Sequence, residues 1–405
     1  MKRFLILVAV LIFVGLVLGA GYYFRYQGTG PEEPPDGESG EDGEIGGILP
    51  PIGENLSTST PAAAGEEKRS SDEAVAFYAL DSRTQLLVAP DGRILKNLPA
   101  KTETLSSAPI SDVGGAAFSY NGSRVVVWFG SPVVQYAVFD TATKIWQSLP
   151  ANIEAVAWSP SDLRLAYFVN QGDAPGLSIW DLSSSRNLPR LALRLRFESP
   201  VLAWPAANRI MIGELPSLEQ PGSLLSYDPR AGSLSVVMQD QAGLWGIWNK
   251  DATRGVVWQS DRRGGRLSLV DGAGNLLRRF SLLTLPSKCG FGEAAVSSSS
   301  STPSASTSTL AGTATSTASG ASQKNEFLFC GVPRGQEFSR ALLPDDYLKR
   351  ALYTSDDIFR IDFRTGEIRS ISLGQKFDVE NPRVFGDRLY FINRLDRKVY
   401  SLPLD

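Results

Sequence analysis

The side chains able to do chemistry in this chain are few in kind. Its 405 residues include 43 carboxylates and two cysteines, Cys289 and Cys330, and no histidine. Without histidine there is no Ser-His-Asp triad, no Cys-His dyad and no histidine-bound metal. The commonest general base near neutral pH is also missing. Two cysteines with no further thiol or imidazole are a poor metal site. Carboxylates alone can carry glycosidic chemistry, yet none falls in a recognisable motif, and no Gly-x-Ser-x-Gly elbow occurs. Asp345-Asp346 and Asp356-Asp357 are the pairs that could hold a cation, although such pairs ordinarily form caps and turns. We therefore expect no catalytic residue, no metal and no cofactor. The cysteines are left to bond to each other, as Cys289–Cys330, or to stay as two buried thiols. Bonding needs an oxidising compartment and elements that bring the two together.

The N-terminus bears on the compartment. Lys2 and Arg3 precede an unbroken apolar run over residues 4–20, continued by Gly21, Tyr22, Tyr23 and Phe24. As a helix, a run of about 20 residues spans the hydrocarbon of a bilayer. Aromatic rings at its far end suit the interface, and the positive charges before it hold the N-terminus in the cytoplasm. Residues 1–24 are read as a cytoplasmic tip and a single-pass anchor, touching lipid through residues 4–24, with the rest of the chain extracytoplasmic. The rival is a signal peptide cut near Gly19, Ala20 and Gly21, which delivers the chain to the same side. Residues 25–73 are rich in Pro, Gly, Ser and Glu and lack apolar periodicity. From 31 to 73 there are twelve acidic and two basic residues. Such a segment cannot offset its ordering entropy by burial, and we expect a disordered acidic linker. The net charge of −3 argues against a nucleic-acid partner.

The elements that must bring the cysteines together begin near Ala74. Short apolar or alternating runs follow one another, broken by Gly, Asp, Asn, Ser and Pro, as in an all-β chain. Phe118, Trp158, Trp204 and Trp248 stand 40, 46 and 44 residues apart. Arg124, Arg164, Arg209 and Arg254 follow them, and each opens an apolar strand. A third strand in each unit ends in Asp, at Asp140, Asp181, Asp228 and Asp271. Four strands in a repeat of about 43 residues is the arithmetic of a propeller blade. We expect residues 74–405 to form a β-propeller of four-stranded blades, seven favoured over six. The terminal segments, including 74–98, are candidates for one blade shared across the ring closure.

Within this pattern the stretch 158–167, Trp-Ser-Pro-Ser-Asp-Leu-Arg-Leu-Ala-Tyr, resembles the repeat of TolB-like propellers, and Ile179-Trp180-Asp181 resembles the WD-repeat signature. The resemblance covers about residues 75–405. It implies a membrane-anchored bacterial propeller, periplasmic or extracellular, that binds proteins, and it names no partner. Asn121-Gly122, where these repeats usually carry Asp-Gly, is a departure.

If 288–292 and 326–333 are the first two strands of one blade, the Ser/Thr/Ala/Gly tract at 294–324 is an oversized, disordered hairpin loop. Cys289 and Cys330 then face each other across neighbouring strands. Closing a loop of about 42 residues would stabilise the fold by about 4 kcal/mol in the chain-entropy account. One segment, 344–353, reads as a short helix in a loop, with Asp345 as its cap. The expected function is protein binding or scaffolding, toward an unidentified protein or cell-envelope partner, without catalysis. The alternative is an extracytoplasmic carbohydrate-active or hydrolytic propeller working with carboxylates.

Overall fold

Period-2 alternation places successive side chains on opposite faces of a strand, and here each face meets a different neighbour. Val125 and Val127 pack toward one adjoining sheet, beside Leu86, Val88 and Ile94. Val126 points the other way, beside Trp158, Leu165 and Tyr167. A strand buried on both faces must read as a continuous apolar run, and that is why the second strand of each unit does. The computed structural model describes residues 65–404, apart from 107–109, 173, 262–263 and 295–324. The expected membrane segment, most of the linker and the Ser/Thr tract lie outside the described residues.

Seven four-stranded antiparallel sheets are present. Blades 1 to 6 occupy 76–104, 113–148, 153–194, 200–242, 245–279 and 289–371, and blade 7 occupies 379–403. The first strands of neighbouring blades approach one another, so they line the axis of a ring. Each hydrophobic cluster joins two adjacent blades; blades 6 and 7, for example, meet through Phe327, Phe329, Ile358, Leu389, Phe391 and Leu402.

Blade 7 draws three strands from the C-terminus and its outer strand, Glu67–Lys68, from the other end of the described chain. Glu67 lies opposite Ser401 and Lys68 opposite Tyr400. The Arg69 Nε donates to the Ser401 hydroxyl at 2.8 Å, and Arg388 pairs with Glu67 at 3.2 Å. This corrects two expectations. The linker does not run to residue 73, because 67–68 complete a sheet whose third strand would otherwise offer unpaired backbone groups. The segment 74–98 is not shared across the closure; it belongs to a complete blade of its own, from Ala76–Ala79 to Thr102–Thr104.

In blades 3, 4 and 5 the arginine that opens the second strand pins its blade to the next. Arg164 lies over the Trp204 ring at 5.3 Å. Arg209 donates to the carbonyls of Ala252 and Gly272 at 3.0 and 2.7 Å. Arg254 pairs with Glu326 at 3.0 Å. In these three blades the repeated arginine is thus an inter-blade contact, whereas Arg124 pairs with Asp140 of its own blade at 3.0 Å.

Candidate functional site

Cys289 and Cys330 meet as the spacing implied. They are opposite one another in the first two strands of blade 6, Cys289–Ala294 and Asn325–Pro333, and are joined by a disulfide. Both are buried, at the interface with blade 5. The bond is a cross-link inside the core and offers no reactive thiol.

The connection between the second and third strands of blade 6, residues 334–355, leaves the blade and crosses one face of the ring. It contains a 3-10 turn, Phe338–Arg340, and one helical turn, α1, Asp345–Leu348. The helix expected at 344–353 is therefore shorter, and Asp345 is not its cap. Pro344 holds the capping position, and no side chain caps the turn. The Asp345 carboxylate instead accepts the Leu218 backbone N–H at 2.7 Å, after the second strand of blade 4. The Ser260 hydroxyl, from blade 5, donates to the Leu343 carbonyl at 2.7 Å. Arg394, from blade 7, donates to the Tyr347 carbonyl at 2.9 Å. The insertion is a strap fastened to blades 4, 5 and 7 as well as to its own.

Beneath the strap lies a buried ionic cluster that the sequence did not reveal. Lys288 is 0% exposed, and its ammonium reaches Asp356 at 2.7 Å, Asp378 at 2.5 Å and the Thr354 hydroxyl at 3.0 Å. Arg394 pairs with the other Asp378 oxygen at 3.0 Å and lies 3.8 Å from the Tyr347 ring centroid. Lys288 and Asp378 precede the first strands of blades 6 and 7, Asp356 opens a third strand, and Arg394 follows a second. In a propeller those four chain positions converge on one face.

Burial works against both charges of the main pair. Alone it would lower the Lys288 ammonium, but Tyr347, Asp356 and Asp378 override it and hold the lysine above its ordinary range. For Asp356 burial is the larger effect, and its carboxyl sits above the usual range despite Lys288 and the Val379 N–H. Burial likewise raises the Tyr347 phenol. With Lys288, Asp356 and Asp378 all fully enclosed, the cluster is positioned to hold the strap and not to meet a substrate. One signal was available: Asp378 stands between Phe377 and Val379, two core side chains.

The candidate carboxylates do not converge. Asp345 serves blade 4, Asp346 accepts the Leu342 N–H at 2.8 Å, Asp356 pairs with Lys288, and Asp357 pairs with Arg334 at 2.7 Å. The aspartates ending third strands cap their own turns. Asp140 accepts from the Ala142 and Thr143 N–H groups, and Asp228 from those of Arg230 and Ala231. This is the geometry for which turns select Asp.

Next to the strap, between blades 4 and 5, is an apolar groove of about 190 Å³. Leu202, Met211, Leu224, Trp245 and Trp248 line it, and Leu348 of α1 closes one side. Leu215 and Leu348, at its edge, are 56% and 37% exposed.

No family model and no curated protein matches the chain. Solved structures resemble it in shape. The tricorn protease is similar over 85% of this chain at 11% identity and a TM-score of 0.47, and the chain spans only 34% of that protein. The β-propeller domain of Cps50 (Swd1) from Myceliophteria thermophila is similar over 84% of this chain and all of its own length, at 8% identity and a TM-score of 0.46. A prolyl endopeptidase is similar over 84% of this chain and 51% of its own, at 10% identity and a TM-score of 0.49. At such identities the likeness concerns the fold alone.

Proposed function

We propose that the chain is an extracytoplasmic propeller, anchored through residues 4–24, that binds a protein partner on its strap-bearing face and performs no catalysis. The observation that carries this reading is the groove between blades 4 and 5. Its volume of about 190 Å³ suits one large apolar side chain, and exposed Leu215 and Leu348 extend the apolar surface around it. Interface energy concentrates where an anchor side chain fills such a pocket. The strap gives the groove a fixed wall, because the Asp345 contact and the Lys288 cluster hold α1 in place. A preorganised wall spares the complex the cost of ordering it on binding.

The propeller fold is equally compatible with enzymes. Against the carboxylate-based alternative, the candidate aspartates among the described residues are engaged in turns and ion pairs, and the two carboxylates that do converge, Asp356 and Asp378, are buried on Lys288. The membrane-anchored TolB-like type rests on the sequence resemblance and the N-terminal run. A mature N-terminus at Gly21 would remove the anchor from this reading.

The test is photo-cross-linking in intact cells from a probe at position 215, followed by affinity capture. A single protein captured with the parent chain, and lost with Trp245→Ala, supports docking in the groove. Absence of any captured protein, together with hydrolysis of a glycan or peptide by the purified chain, overturns it.

A further inference from the structure

We infer that the wedge between blades 7 and 1 is a binding site for a small ligand carrying two or more oxyanion groups. The wedge is a cavity of about 550 Å³ on the face opposite the strap. A volume of this order falls in the range of ligand sites. One wall is the closing strand with Lys68 and Arg69; the other is Arg83 and the hairpin residues 97–102 of blade 1, including Lys101. Four cations face one carboxylate, Glu67, which already pairs with Arg69 at 2.9 Å and Arg388 at 3.2 Å. Among the described residues, the guanidinium of Arg83 and the ammonium of Lys101 have no hydrogen-bonded or ionic partner.

A second observation comes from the cavity wall. Gln85 is 1% exposed, and its Oε1 accepts from the Asn97 Nδ2 at 3.0 Å. Asn97 is oriented in turn, because its Oδ1 accepts from the Thr102 hydroxyl at 3.3 Å and its Nδ2 also donates to the Arg69 carbonyl. The chain of bonds fixes which end of the Gln85 amide is the nitrogen. That nitrogen is buried and has no partner among the described residues. A buried amide donor left unmade is costly, and native structures rarely keep one without a reason. Lys68 is also kept close to Lys398, which lowers its pKa. An oxyanion answers all these features together: it neutralises cations on both walls and accepts from Gln85. Because the cations stand on two walls, a ligand with anionic groups at both ends fits better than a lone monovalent ion.

The test is calorimetric titration of the full chain, in detergent, with pyrophosphate and separately with citrate. The expected result is one saturable site for at least one of them. Pyrophosphate alone identifies linked phosphoryl groups as the ligand class, citrate alone a polycarboxylate, and both together the shared oxyanion chemistry. Arg83→Gln with Lys101→Gln should weaken binding about tenfold or more, the equivalent of one lost charge-assisted contact. Gln85→Met should weaken binding without lowering the unfolding midpoint. The exposed Arg83/Lys101 pair keeps the test valid if the buried substitution fails to fold. No saturable binding of either anion, or binding unchanged in both variants, overturns the assignment.

Discussion

Replacing Lys288 by Met removes the centre of the buried cluster while keeping most of its volume. The two carboxylates then part ways. Asp378 keeps Arg394 at 3.0 Å, whereas Asp356 keeps only the Val379 N–H at 2.7 Å. Asp356 is 0% exposed, so its charge is left buried and uncompensated. Breaking a buried pair in this way costs about 3–5 kcal/mol. For a domain of this size that lowers the thermal midpoint by about 5–10 °C. The cost also depends on pH. In the variant the Asp356 carboxyl is raised further above its unfolded value, since burial already raises it in the parent and the opposing lysine is gone. A group raised on folding contributes stability that is present below its unfolded pKa and lost as pH rises through the folded one. The deficit should therefore be larger at pH 8 than at pH 5. Adding Asp356→Asn removes the orphaned charge and should recover much of the loss. The assay is thermal or urea unfolding of parent, single and double variants at both pH values. A Lys288→Met chain that unfolds with the parent midpoint, or with an equal deficit at pH 5 and pH 8, would refute the reasoning.

Three other outcomes follow from the same structure. Converting Cys289 and Cys330 together to Ala opens a loop of 41 residues' separation and should cost up to about 4 kcal/mol, read as a lowered urea midpoint; non-reducing mass mapping of the parent should find no free thiol. Gly290→Ala places a methyl group against the Pro382 carbonyl, where the inner strands of blades 6 and 7 come together, and should destabilise by about 1–3 kcal/mol or more in the same assay. Asp345→Ala frees the strap from blade 4 and should leave the midpoint of the ring within a few degrees while speeding tryptic cleavage at Lys349 and Arg350; an unchanged cleavage rate would mean that the Leu218 contact does not hold the strap.

The sequence by itself determined the ring. Strands buried on both faces must be apolar throughout, and turns between them select Asp, Asn and Gly, so a blade repeats in sequence as it does in space. The same logic exposed the cysteine pair, because two strands joined by one hairpin place their partners by simple counting. It located the strap at 344–353 only as a break in the pattern. Tertiary structure alone decided where the closing strand came from, since pairing of Glu67 with Ser401 depends on contact across 334 residues of chain. It decided the role of Asp345, which has the composition of a helix cap but finds a backbone N–H on another blade. It also assembled Lys288, Asp356, Asp378 and Arg394. No periodicity links those four positions; they meet because the ends of four strands in two blades reach the same face, where burial makes their charges pair with one another.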